Sequence, residues 1–346
     1  MGNRSVKDGR ISLRFCQSAW IGLATIALAA PAAAAQVPWR EVARWKRDSV
    51  PTMVAISRDG EIVAANEGDA GRIVLWDRSK RGVVQSCVHE EADTLQFSPD
   101  GKLLATTDGR PSRWSRAGPG IVRLWSVATG AMLHEISSDW GVSAAAFTPD
   151  GKKIVVALHN SVAVLDVRTG EQLAATSARD NPTSSNIRSV LVANSGDEVF
   201  SVDGDDIDIW TQDSLKRKRV MYSGRLRSVV AVAPNAKQYA TCTAINGEAQ
   251  AVTVIETWDL IKNRRYNRSE VPGWHRNITY SPDGAFLLAV GDSRQVHLWN
   301  AHTLEYRGKI EDACGPAGFS GDGSFVAAAT TSGDIGVWDL RAKAGE

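Results

Sequence analysis

The chain has 346 residues, 43% hydrophobic and 23% charged, with a formal net charge of +1. This is the composition of a folded globular protein and excludes a disordered or collagen-like chain. The near-neutral balance argues against a nucleic-acid binder, whose affinity rests largely on neutralising phosphates.

Residues 1–35 stand apart. Arg4, Lys7, Arg10 and Arg14 precede an apolar stretch from Ala19 to Ala30, and Ala33-Ala34-Ala35 follows before Gln36. A basic segment, an apolar segment of about 12 residues and a small-residue site form the pattern of an export signal, with cleavage expected after Ala35. The apolar stretch is shorter than the roughly 20 residues that cross a bilayer as a helix, so no stable membrane span is expected after cleavage. The leader has no twin-arginine pair, and Cys16 has no lipobox before it, so the expected route is the general secretory one. The expected destination is the bacterial periplasm or the medium. Cleavage leaves 36 basic against 38 acidic groups. It also leaves Cys87, Cys242 and Cys314, an odd set without a CxxC pair, which reads as buried free thiols rather than a disulfide framework or zinc site.

From residue 36 to 346 a single domain is expected, built from one repeated unit. The segment Trp39–Lys46 alternates apolar positions at Val42 and Trp45 and has no repeat of its own. Then come seven turns: Arg58-Asp59-Gly60, Pro99-Asp100-Gly101, Pro149-Asp150-Gly151, Ser195-Gly196-Asp197, Pro234-Asn235-Ala236, Pro282-Asp283-Gly284 and Gly321-Asp322-Gly323. Pro presets φ, Asp bonds its own backbone and Gly tolerates positive φ, so each joins two antiparallel strands. Each turn leads to a strand carrying Trp76, Trp125, Leu165, Trp210, Trp258, Trp299 or Trp338, spaced by 49, 40, 45, 48, 41 and 39 residues. That period is one four-stranded propeller blade. Runs such as Leu103-Leu104-Ala105 and Ile154-Val155-Val156 are nearly continuous and apolar, as strands covered on both faces require. The last unit ends soon after Trp338-Asp339 and lacks an outer strand. The prediction is therefore all-β: seven antiparallel four-stranded blades, the ring closed by residues 39–46, because closure removes two exposed sheet edges.

The Ser-Pro-Asp-Gly and Trp-Asp segments resemble WD40 repeats over residues 50–340. Val162-Ala163-Val164-Leu165-Asp166 is also similar to YVTN-type bacterial propeller repeats. WD40 blades carry a His that bonds the Trp through a Ser or Thr and an Asp. Here His89, nine residues before Ser98, occupies that place, with Thr107 and Trp125 as expected partners.

Loops from the second to the third strand of a blade, and from the fourth to the next blade, emerge together on one face and usually carry binding. The longest runs from Asp108 to Gly120 and holds Arg110, Arg113, Trp114 and Arg116; another spans Ala244 to Ala251. Inter-blade connections add Trp140, Arg179, Trp274 and Arg276. Trp and Arg dominate interface hot spots and pair through cation–π contact, so these eight residues form the candidate partner-binding set. The run around Asp203, Asp205 and Asp206 reads as a solvated turn, with calcium as the lesser alternative. His89, His159 and His275 map to the same face in different blades, too scattered for a metal site. No nucleophile elbow, phosphate loop or dinucleotide fingerprint occurs. No cofactor is expected. The resemblance implies a rigid platform without its own chemistry, so the expected role is a non-enzymatic scaffold for a protein or peptide, and the expected state is a monomer. The alternative is a lactonase-like or quinoprotein-like propeller with converging His, Asp or Glu side chains at the channel mouth.

Overall fold

The computed structural model describes residues 39–343, apart from 48–49, 68–70, 91, 109–119, 140, 159–160, 177–186, 204–205, 223–228, 247–250, 292–294 and 311. Strand β1 is Trp39–Trp45. Blade 1 comprises β2 (Val54–Ile56), β3 (Ile62–Glu67), β4 (Arg72–Asp77) and β5 (Gly82–Val88). Blade 2 comprises β6 (Thr94–Phe97), β7 (Leu103–Asp108), β8 (Gly120–Ser126) and β9 (Met132–Ser138), and blade 3 β10 (Val142–Phe147), β11 (Lys153–Leu158), β12 (Ser161–Asp166) and β13 (Gln172–Ala175). Blade 4 holds β14 (Ser189–Val192), β15 (Glu198–Asp203), β16 (Asp206–Thr211) and β17 (Arg217–Tyr222). Blade 5 holds β18 (Val229–Val232), β19 (Gln238–Asn246), β20 (Ala251–Asp259) and β21 (Arg265–Pro272), and blade 6 β22 (His275–Tyr280), β23 (Phe286–Gly291), β24 (Val296–Asn300) and β25 (Tyr306–Ile310). Blade 7 has β26 (Ala313–Phe319), β27 (Phe325–Thr330) and β28 (Ile335–Lys343), and its fourth strand is β1, antiparallel to β28. The first and last strands of the ring thus share one sheet, as the missing outer strand required. No helix in the described residues is long and apolar enough to cross a membrane.

The turns between the first two strands of a blade are built alike. Ser57, Ser98, Thr148 and Ser320 each donate a side-chain hydrogen bond of 2.6 Å to the Asp two residues on. Each hydroxyl oxygen also accepts the backbone N–H five residues on, for example Leu103 to Ser98 at 2.9 Å. The Asp carboxylate accepts the N–H two residues on, as from Lys102 to Asp100. The following Gly takes positive φ, +70° at Gly101. Blade 5 places Ala236 there at φ 57°, a conformation that costs an L-residue roughly 1–2 kcal/mol.

Register fixes what each repeated strand position touches. Trp76, Trp125, Trp210, Trp258, Trp299 and Trp338 pair with Val63, Leu104, Val199, Tyr239, Leu287 and Val326. Leu165 pairs with Ile154 in the same way. These side chains face the preceding blade: Trp210 packs with Val155 and Val164 of blade 3, and Leu165 with Val122 and Leu124 of blade 2. The core is therefore a series of inter-blade layers. At the closure, Trp45 lies 6.2 Å from Trp76 between ring centroids and packs with Phe325 and Val337. Arg47 stacks over Trp76 at 4.9 Å and pairs with Glu67 at 3.5 Å.

The blade 5 connection is shorter than its sequence suggests. Ala244, Ile245 and Asn246 continue β19, Ala251 begins β20, and the pairing runs to Asn246↔Ala251. Nine-residue strands satisfy the backbone through ladder bonds where a loop was expected.

Candidate interaction face

Antiparallel sequential strands put the second-to-third and blade-to-blade connections at one end of every blade. Asp108, Asp203, Asp206, Trp274 and Asp334 lie at that end. Of the eight predicted partner-binding residues, Arg110, Arg113, Trp114, Arg116, Trp140 and Arg179 fall outside the described residues, as do Asp205 and His159. Trp274 is described, immediately before β22, with 39% of its surface exposed. Arg276 lies within β22, so it belongs to a paired strand rather than to the connection.

His89 is buried at 1% exposure and organises blade 2. Trp125 Nε1 donates to Thr106 Oγ1 at 2.9 Å, and Thr106 Oγ1 lies 2.6 Å from His89 Nδ1. His89 Nε2 faces Asp108 Oδ2 at 3.4 Å. One proton arrangement satisfies all of these: the indole donates to the hydroxyl, the hydroxyl donates to Nδ1, and the Nε2 proton points at the carboxylate. It requires a neutral imidazole, and burial, aided by Arg123, holds the His89 pKa below its ordinary value against the pull of Asp108. The hub is Thr106, not the predicted Thr107. Leu104 faces Trp125 in register, and strand alternation puts the residue two further on, Thr106, on the same side. Thr107 points the other way and bonds Thr94 at 2.6 Å.

The same position is Ser201 in blade 4, accepting from Trp210 Nε1 at 2.9 Å, and Thr241 in blade 5, accepting from Trp258 at 3.3 Å. In blade 6 it is Ala289, and Trp299 Nε1 is buried without a hydrogen-bond partner. That blade holds instead two imidazoles, His275 and His297, with ring centroids 5.0 Å apart. His297 Nδ1 lies 2.9 Å from the Tyr306 hydroxyl. Burial, then His275 and Lys309, push His297 down to about 4. His275 sits at the start of β22 inside the core, and its carbonyl accepts from Cys242 Sγ at 3.5 Å. Burial pushes the Cys87 and Cys242 thiols up to about 12, which removes thiolate reactivity near neutrality.

The acidic run of blade 4 divides. Asp203 and Asp206 face each other across the turn. Asp208 lies two residues further along β16, away from the turn, 1% exposed, with Arg217 Nη1 at 3.5 Å. Burial outweighs that cation, and the nearby Asp206 and Asp203 add to it, so Asp208 is pushed up to about 6. Among the described residues no group of three or more His, Cys, Asp or Glu is arranged to hold a metal.

These blades, their turns and the His–Thr–Trp network define a WD40-like seven-bladed β-propeller. A family model for the WD domain, G-beta repeat, matches residues 274–300, which are the first three strands of blade 6 with Trp274. The chain is also similar to a human protein, U3 small nucleolar RNA-associated protein 18 homolog, 29% identical over 116 residues. That match covers 30% of this chain and 21% of the human protein, so the chain spans about a fifth of its relative's length.

Proposed function

We propose that this protein is an exported, monomeric, non-enzymatic scaffold that binds a protein or peptide on the face formed by the blade-to-blade connections. WD40 propellers are interaction platforms, and a fold by itself does not define a site. The observation that carries the reading is Trp274: a large aromatic, 39% exposed, at the rim of a blade whose other aromatic rings are buried or half-buried. Rigid strands behind it keep the ordering cost of binding low. The lactonase-like or quinoprotein-like alternative asks for imidazoles at a channel mouth, but His89 and His275 are enclosed within blades 2 and 6. The name of the human relative refers to a small nucleolar RNA, and 36 basic against 38 acidic groups after residue 35 do not favour nucleic acid here. Export is supported by the leader pattern and by its spacing, since cleavage after Ala35 leaves three residues before β1.

The test is a crosslinking capture from the periplasmic fraction with wild type and an Arg113→Ala/Trp114→Ala/Trp274→Ala variant of matched melting temperature. A discrete partner held by the wild type and lost by the variant supports the reading. No partner for either, or equal capture by both, overturns it. An intact mass matching residues 36–346 checks the export step.

A further inference from the structure

Blade 3 breaks the repeat at one position, and a cavity lies where it does. Six blades seat an indole against the preceding blade, whereas blade 3 seats Leu165 there, 3% exposed. The position two residues past its register partner is Val156, so no hydroxyl waits for an N–H. Between blades 2 and 3 lies a cavity of about 300 Å³ whose floor includes Val122, Val142, Val156 and Leu165. Small-molecule sites begin at about that volume, and this one opens to solvent along its rim. The floor is buried, and the rim is polar, with exposed Gln172 at one end and half-buried Ser138 and exposed Asp139 at the other. From Leu165 back to Ser161, beside Leu158, is four strand residues, roughly 13 Å at 3.3 Å per residue. The slot is bounded by two blades and long enough for a bicyclic ring with a short side chain. Asp139, at the polar end of the slot, carries no ion pair with any described residue.

We propose that the slot between blades 2 and 3 is a binding site for a small planar arylalkylamine. Its ring takes the place that an indole occupies in the other blades, and its ammonium group meets Asp139. The ring contributes burial against Val122, Val156 and Leu165, and the charge selects the amine over a neutral aromatic.

The experiment uses 5-fluorotryptamine and 5-fluoroindole as probes, with binding read by ¹⁹F line broadening and titration. Wild type is expected to bind both, the amine about tenfold more tightly. Asp139→Asn should remove that tenfold preference and leave 5-fluoroindole unchanged. Leu165→Trp fills the slot from the floor and should abolish both signals with the melting temperature unchanged or raised. Ile136→Phe, on the half-buried outer strand, fills it from the side and serves if Leu165→Trp does not fold. Absence of binding by wild type at millimolar probe overturns the proposal. So does binding that survives the filling variants, or an amine preference that survives Asp139→Asn.

Discussion

Thr106→Val removes the hydroxyl that joins Trp125 to His89 while keeping shape and burial. Two contacts go together: the 2.9 Å bond from Trp125 Nε1 and the 2.6 Å bond to His89 Nδ1. Both partners are buried, and water does not replace the hydroxyl. Each orphaned buried polar group costs about 1–3 kcal/mol, so the expected destabilisation is about 2–4 kcal/mol after allowing for their non-additivity. For a domain of this size that is about 3–6 °C in melting temperature. Ser201→Ala in blade 4 breaks one such bond and should cost about 1–2 kcal/mol. Thermal and urea denaturation followed by far-UV circular dichroism gives the comparison. If Thr106→Val costs no more than Ser201→Ala, the His–Thr–Trp chain is not acting as a unit and the argument for blade 2 fails. The neutral His89 adds a pH signature. Its folded pKa is depressed, so its contribution is full above the unfolded value near 6.5 and is lost as pH falls below it.

Two buried groups should oppose each other on acidification. His297, depressed from 6.5 to about 4, withdraws about 3 kcal/mol of stability as pH falls from 6.5 to 4. Asp208, raised from 3.8 to about 6, returns about 3 kcal/mol as pH falls from 6 to 4, because the folded state takes up the proton first. His297→Leu should therefore gain stability across that window, and Asp208→Asn should lose it; denaturation midpoints from pH 4 to 7.5 report the slopes, and equal slopes refute the assignment. At pH 7.5 Asp208→Asn should stabilise by about 1–3 kcal/mol, since Arg217 can turn to solvent; a loss there means the ion pair outweighs burial. Ala236→Gly relieves a positive φ and should stabilise by about 0.5–1 kcal/mol in the same melts, with no gain refuting strain at that turn. Trp45→Ala should cost about 3–5 kcal/mol and open β1 to limited proteolysis before any other segment; uniform proteolysis would contradict its role as the ring's clasp.

Much of this architecture is written in local chemistry. A Ser or Thr two residues before Asp and three before Gly makes one kind of turn wherever it occurs, and strand alternation then places one Trp per blade against its neighbour. The missing outer strand of the last unit and the unattached Trp39–Trp45 implied each other, because an unpaired sheet edge is costly. Sequence reasoning pointed to the His89 network but missed its hub by one residue. The parity set by Leu104↔Trp125 would have found Thr106, but that register exists only once two strands pair. The same limit applies to His275, which reads as a face residue and is core, since burial depends on what an adjacent strand or blade brings against it. Leu165 was legible as an exception to the Trp pattern. That the exception borders a cavity was decided by Val122 and Val142, which reach it from other strands and only in the folded ring. Turns and blade count are near-neighbour properties of the chain, and closure was legible because two incomplete ends of the repeat complement each other; burial, protonation and cavities are set by residues far apart in sequence, and only tertiary packing brings those together.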